Sequence, residues 1–197
     1  MRSLLLKRLF DFASALTGLL VFGWIILLVC VLAAIDTASS GIFLQKRIGR
    51  YGKPFTIFKL RTIRCDGTIS TIGSFLRKFK IDEFPQLLNV LLGDMSLVGP
   101  RPDVAGYYDK LQGTDRQLLQ LRPGITGLAS LKYADEEEIL SQQNEPDMYN
   151  DKVLFPDKVR LNLIYLRQRN LFLDIKIILW TFAGNKAKTE FVKSFKD

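Results

Sequence analysis

The chain has 197 residues, with 28 lysines and arginines against 20 aspartates and glutamates, a net charge of +8. That length supports one compact domain with at most one appendage. Histidine is absent, which excludes a Ser-His-Asp triad, an imidazole general base and most catalytic zinc sites, and leaves chemistry to carboxylates, lysine, arginine, tyrosine or a metal. The two cysteines, Cys30 and Cys65, form no C-x-x-C and no disulfide framework, as expected of a reducing compartment.

From Phe12 to Ile35 no residue carries a charge. As a helix this run would be ~36 Å long, enough to cross a bilayer. A secretory signal has an apolar core of only ~7–15 residues, so cleavage is not expected. Arg2, Lys7 and Arg8 precede the run, and Lys46, Arg47, Arg50 and Lys53 follow it. Basic residues prefer the cytoplasmic side. If both flanks stay inside, the segment must enter the membrane and turn back at a helix break, for which Gly23–Trp24 is the mid-run candidate. A straight single-pass helix is the alternative, and the charges alone leave both open.

Ile42–Arg47 and Phe55–Thr62 are strand-like and flank the basic turn IGRYGKP, which predicts a hairpin. Ile72–Phe79 reads as a short basic helix. Asp82 opens a clearer one, DEFPQLLNVLLG, with acids at the start, Pro85 in the first turn and Gly93 just past the end. A Pro/Gly-rich loop, SLVGPRPD, leads to a predicted helical stretch at Val104–Leu119, then a second such loop, LRPGITG, and the apolar segment LASLKY. Helical patterns resume at Asp135–Gln142 and Val159–Arg169. Leu171–Phe182 is apolar nearly all round, charged only at Asp174 and Lys176, and is predicted to lie in the core or at a membrane surface. Past Gly184 the chain is expected to fray, and there is no internal repeat.

Asp82 and Glu83 are the first candidates for chemistry. Free N–H groups and the positive dipole end of a helix start favour anions, so a carboxylate stays ionised there and a phosphate can be held beside it. An acidic helix start is also ordinary, and the pair alone leaves both readings open. Arg77, Lys78 and Lys80 precede it, Arg101 sits between prolines in GPRP, and Arg122 opens RPG. Arginines on a stiff backbone suit phosphate, because a preorganised guanidinium fork loses little freedom on binding an oxyanion. Structural ion pairs are the competing role.

KIDEFPQLLNVLLGDMSLVGPRPD (Lys80–Asp103), with FKLRT (Phe58–Thr62) before it and LRPGITGLA (Leu121–Ala129) after it, resembles the bacterial sugar transferase family, the small monotopic phosphoglycosyl transferases. The likeness runs from KRLFDF (Lys7–Phe12) through FLQKRIG (Phe43–Gly49) to LFLDIKIILWT. It implies transfer of a sugar 1-phosphate from a UDP-sugar to a polyprenyl (undecaprenyl) phosphate, releasing UMP, as the first membrane step of glycoconjugate or surface-polysaccharide assembly. By this resemblance Asp82 is the nucleophile that forms a covalent aspartyl phosphosugar, and Glu83 is the partner acid associated with Mg²⁺, with Asp82 as the other carboxylate at the metal. Lys59, Arg77, Arg101 and Arg122 are the substrate-binding cations. A carboxylate nucleophile needs no proton removed, in keeping with the lack of histidine.

The resemblance also implies a re-entrant membrane helix over 1–36, a cytoplasmic catalytic domain over 37–184 and a flexible tail over 185–197. The fold class expected is mixed α/β and helix-rich, with a short β-hairpin and membrane-surface helices, at the inner membrane and facing the cytoplasm. Many relatives place Ser-Pro at the break, where this run has no proline. The acidic stretch Asp135–Glu138 is either solvated helix start or, with Tyr133, part of a sugar pocket. Two other functions fit less well: a membrane-anchored basic adaptor for anionic lipid, and a glycosyl transferase that releases UDP. No nucleic-acid module is present. The sugar, the polyprenyl length and the oligomeric state are not written in these motifs.

Overall fold

A computed structural model describes residues 2–195, and the chain divides into two units. The first holds the residues up to Arg47 together with Pro54–Ser96, and the second holds Ile48–Lys53 together with the residues from Leu97 on.

In the first unit, helix α1 (Arg2–Thr37) packs against α2 (Thr71–Lys78) and α3 (Gln86–Leu92). Ala15, Ile26 and Ala33 face inward, while Leu20, Trp24, Leu27 and Ile35 are exposed. This division into a buried stripe and an apolar outer face is what a helix bordering lipid needs. Small residues let α1 approach closely: a Cβ on Gly18 would lie 3.1 Å from Leu87 Cδ1. The break expected at Gly23–Trp24 is not there, and α1 runs through it as helix. Glycine keeps its N–H and has no ring to clash with the preceding turn, so the hydrogen-bond ladder continues.

Polar contacts fasten both ends of α1. Near its start, Asp11 is buried and accepts from Lys7 Nζ at 2.9 Å and Ser96 Oγ at 2.7 Å. Near its end, Asp36 accepts from the Ile72 N–H at 3.0 Å and from Arg64 Nη2 at 2.8 Å. Between them Ile26, Leu60 and Leu76 form a small core, bordered by Leu19, Ile81 and Phe84.

The predicted hairpin is present as β1 (Ile42–Ile48) and β2 (Pro54–Leu60). Its turn, in the second unit, closes with the Gly49 N–H donating to Lys53 O at 2.8 Å.

The second unit holds the larger core, which includes Val98, Leu128, Leu161, Ile164 and Ile177. Strand β3 (Ser96–Val98) pairs with β4 (Gly124–Thr126). Helices α4 (Leu128–Lys132), α5 (Glu136–Ser141) and α6 (Pro146–Tyr149) follow, and a π turn over Asn150–Leu154 leads into α7 (Phe155–Gln168), then α8 (Leu171–Thr181). Leu173, Asp174 and Ile177 turn inward from α8, whereas Phe172, Leu179 and Phe182 remain exposed.

Two expectations differ here. Val104–Leu119 is not an α-helix: it has 3-10 turns at Tyr108–Lys110 and Asp115–Gln120, because Gly106 (φ 110°) and Gly113 (φ 54°) sit in the left-handed region. Residues past Gly184, expected to fray, form α9 (Asn185–Lys193), with Val192 buried and Phe191 stacked on Trp180 at 5.0 Å between ring centroids. The apolar i, i+1 pair supplies the contacts that the abundance of lysines conceals. Residues 196 and 197 of the expected tail lie outside the described residues.

Candidate active site

Asp82 and Glu83 lie in the first unit, in a 3-10 turn (Ile81–Glu83) between α2 and α3. Lys80 opens that turn in the left-handed conformation (φ 55°) and Pro85 closes it as the N-cap of α3. The sequence pattern predicts that the pair opens the helix with Pro85 in its first turn; the pair instead precedes α3, which begins at Gln86. Proline at this boundary costs no hydrogen bond, since the first helical N–H groups have no intrahelical acceptor. Both carboxylates are buried, Asp82 at 9% exposure and Glu83 at 7%. A carboxylate this far from water stays charged only among donors or cations.

One such cation is Lys59 on β2, whose Nζ donates to Glu83 Oε1 at 3.2 Å. Arg77 stands in the last turn of α2, in the same unit as the carboxylates. The structure thus brings Lys59 directly to Glu83, a pairing across 24 positions that neither residue's sequence neighbours announce.

Asn89 on α3, a residue that the sequence motifs do not single out, contacts the strand that carries Lys59. Its side chain is fully buried and bridges two backbone groups of β2: Nδ2 donates to Thr56 O at 2.7 Å, and Oδ1 accepts from the Phe58 N–H at 3.0 Å. Its own carbonyl accepts from the N–H groups of Gly93, Asp94 and Met95, which turns the chain out of α3. Gly93 takes φ 94° there, a conformation open to glycine at little cost.

Arg101 and Arg122 lie in the second unit, on the loops that follow β3 and precede β4. The Gly99 N–H donates to Thr126 O at 2.9 Å and the Gly124 N–H donates to Pro100 O at 2.8 Å. The two backbones approach so closely that side chains are barred: a Cβ on Gly99 would stand 2.3 Å from Arg122 O, and one on Gly124 would stand 2.1 Å from the Gly99 nitrogen. The two Gly/Pro loops singled out in the sequence are therefore one paired structure. Arg101, with Pro100, Pro102, Pro123 and Tyr108, borders a small recess within this unit.

The acidic stretch and Tyr133 join a different network. Asp157 accepts from Lys132 Nζ and from the Tyr133 hydroxyl, each at 2.6 Å, and from Arg160 Nη2 at 2.9 Å. Burial raises the Asp157 carboxyl, but the hydrogen bonds from Lys132, Tyr133 and Arg160 outweigh it and hold the group below the usual carboxylate range. Burial and the Asp157 contact push the Tyr133 phenol up. Glu136 pairs with Lys158.

Among the described residues no three His, Cys, Asp or Glu side chains cluster as a metal cage. Two adjacent carboxylates still fit the chemistry of Mg²⁺, which keeps several waters and commonly takes one or two carboxylates with the rest of its shell from substrate phosphates.

Comparison with known proteins gives a consistent picture. The model of the family described as bacterial sugar transferase matches residues 2–186. The galactosyl transferase CpsE of Streptococcus agalactiae is 35% identical over 90% of this chain and 41% of its own length. The sugar transferase EpsL of Bacillus subtilis, whose role is uncharacterized, is 33% identical over 90% of this chain and 86% of its own. A UDP-glucose:undecaprenyl-phosphate glucose-1-phosphate transferase of Caulobacter vibrioides is 34% identical over 89% of this chain and 67% of its own. The chain thus spans about two fifths of CpsE and most of EpsL.

Proposed function

The chain belongs to the bacterial sugar transferase family, and from that premise we propose that it transfers a sugar 1-phosphate from a UDP-sugar to undecaprenyl phosphate, with Asp82 as the nucleophile. One observation carries the reading: a buried carboxylate at Asp82 adjoins Glu83, which in turn holds the Lys59 ammonium at 3.2 Å. An Asp82 oxygen attacks the sugar-bearing phosphorus, the P–O bond to UMP breaks, and UMP leaves with the electron pair. A phosphate oxygen of the polyprenyl acceptor then attacks the same phosphorus and releases the Asp82 carboxylate. No base is needed at the first step. Lys59, Arg77, Arg101 and Arg122 supply positive charge to the phosphates of donor and acceptor. Mg²⁺, when bound at Asp82 and Glu83, supplies further neutralisation of diphosphate charge.

The acceptor is a lipid, and the reading places the chain at the cytoplasmic face of a bacterial inner membrane, with the unbroken α1 immersed from that face. Basic residues flank both ends of the apolar run, and α1 carries exposed Leu20, Trp24, Leu27 and Ile35 on its outer side.

Nucleotide release tests the function. Detergent-solubilised protein is given Mg²⁺, undecaprenyl phosphate and a panel of UDP-sugars, and compared with Asp82→Asn. UMP released with one donor and lost in the variant supports phosphosugar transfer and names the sugar. UDP release indicates ordinary glycosyl transfer and overturns the reading. No release from any donor, together with binding to anionic vesicles, favours a lipid-binding adaptor.

A further inference from the structure

We propose that Asn89 is a positioning residue for the transfer: it completes the open edge of β2 and thereby holds Lys59 against Glu83. The inference rests on the function proposed above. Strand β2 pairs with β1 on one side only. On its other side Thr56 O and the Phe58 N–H point away from β1, and a strand edge left bare would twist or slip. The Asn89 carboxamide supplies one donor and one acceptor at 2.7 and 3.0 Å, as a backbone peptide of a third strand would.

Lys59 is the next residue after Phe58. Side chains alternate along a strand, so the backbone fixed at Phe58 determines the face on which Lys59 emerges. Asn89 belongs to α3, which follows the Asp82–Glu83 turn directly. One buried side chain therefore ties the strand bearing the cation to the helix that follows the carboxylates. A fully buried amide is costly unless both its donor and its acceptor are met, and here both are met by β2. An ordinary core position would be filled more cheaply by leucine.

The test is a double-mutant cycle on UMP release, run with Asn89→Ala, Lys59→Ala and the pair. Asn89→Ala is expected to lower kcat/KM by about ten- to a hundredfold, as a small misplacement of a charged group does. Lys59→Ala is expected to lower it by at least as much. If Asn89 acts through Lys59, the double variant is no slower than Lys59→Ala, within about twofold. Losses that multiply overturn the proposal.

A second measurement does not depend on activity. Acetic anhydride labelling, read by mass spectrometry at each lysine, is expected to show Lys59 protected in the parent and labelled several times faster in Asn89→Ala, with the exposed Lys53 unchanged. The isosteric Asn89→Asp serves in its place if the alanine variant does not fold, because it keeps an acceptor for the Phe58 N–H and loses the donor to Thr56. Unchanged Lys59 labelling in the folded variant overturns the proposal. UDP release by the parent, or full activity in Asp82→Asn, overturns the assigned reaction instead, and the labelling result then still decides whether Asn89 holds Lys59.

Discussion

Arg8 Nη2 donates to Val90 O at 2.6 Å, so a cation near the start of the long apolar helix caps the carbonyl end of α3. The same nitrogen reaches Leu91 O at 3.1 Å, and Nη1 reaches Met95 O at 3.4 Å. The last carbonyls of a helix have no intrahelical donor, and a guanidinium there satisfies them while opposing the negative dipole end. The helix that follows the candidate nucleophile is thus held at its far end by α1.

Arg8→Met keeps the aliphatic stem and removes these donors. The expected loss is about 1–3 kcal/mol, the range for hydrogen bonds to a charged group, with Val90 O keeping the Gly93 N–H at 3.2 Å. Thermal unfolding in detergent measures it. A melting temperature equal to the parent's contradicts the capping role.

The glycines of the paired loops predict a sharp contrast with a glycine of α1. Gly124→Ala places a Cβ 2.1 Å from a backbone nitrogen, and Gly99→Ala places one 2.3 Å from a backbone carbonyl, neither of which can yield without separating the loops. Each is expected to cost upward of about 2 kcal/mol, read as a lower melting temperature. At Gly23 a Cβ meets nothing within 4 Å, and alanine should stabilise the helix by roughly 0.5–1 kcal/mol. Equal tolerance at Gly23, Gly99 and Gly124 contradicts this account.

These loops also mark where sequence reasoning stops. The hairpin is readable from two strand-like stretches about a Gly-containing turn, and α8 from a run that is apolar nearly all round. The pairing of β3 with β4 is not, since three-residue strands inside Gly/Pro loops carry no period, and only the mutual approach of Gly99 and Gly124 reveals it. Val104–Leu119 has helical spacing that Gly106 and Gly113 override through the backbone. At the candidate site the carboxylate pair was visible as a motif. The Lys59 contact and the Asn89 bridge were not, because each joins segments far apart in the chain whose approach is fixed by packing.

Acid is expected to weaken the second unit through Asp157. Its carboxyl lies below the ordinary value of 3.8 because the hydrogen bonds from Lys132, Tyr133 and Arg160 outweigh the effect of burial. As pH falls the unfolded chain therefore takes up this proton first. The stability due to Asp157 is whole above the ordinary value and is lost as pH drops through the lower folded value. Asp157→Asn should accordingly melt below the parent near neutral pH, and the gap should hold on acidification until the pH nears 3.8 and narrow below it. A gap that stays constant as the pH falls below 3.8 assigns the loss to packing instead of charge.

The last prediction concerns how α1 meets the membrane. Length and hydropathy alone allow it to cross, since Leu4–Thr37 is long and apolar enough. Its contacts favour another path. Arg8 is bonded to the end of α3, Gly18 faces Leu87, the Phe22 ring lies 6.0 Å from that of Phe84, and Asp36 holds the start of α2. The helix is thus docked along its length on elements that also carry Lys59, Asp82 and Glu83. A straight crossing would draw those charged groups into the bilayer with it, at a cost of several kcal/mol each. Immersion from one face avoids this, because the exposed Leu20, Trp24, Leu27 and Ile35 enter lipid while the opposite face stays with its unit. An amino-terminal tag and the exposed Cys65 should then be reached by an impermeant reagent from the same membrane face, in inverted vesicles and not in intact cells. Labelling of the two from opposite faces would establish a crossing helix, and the contacts of Arg8 and Asp36 could not then coexist in the membrane-bound protein.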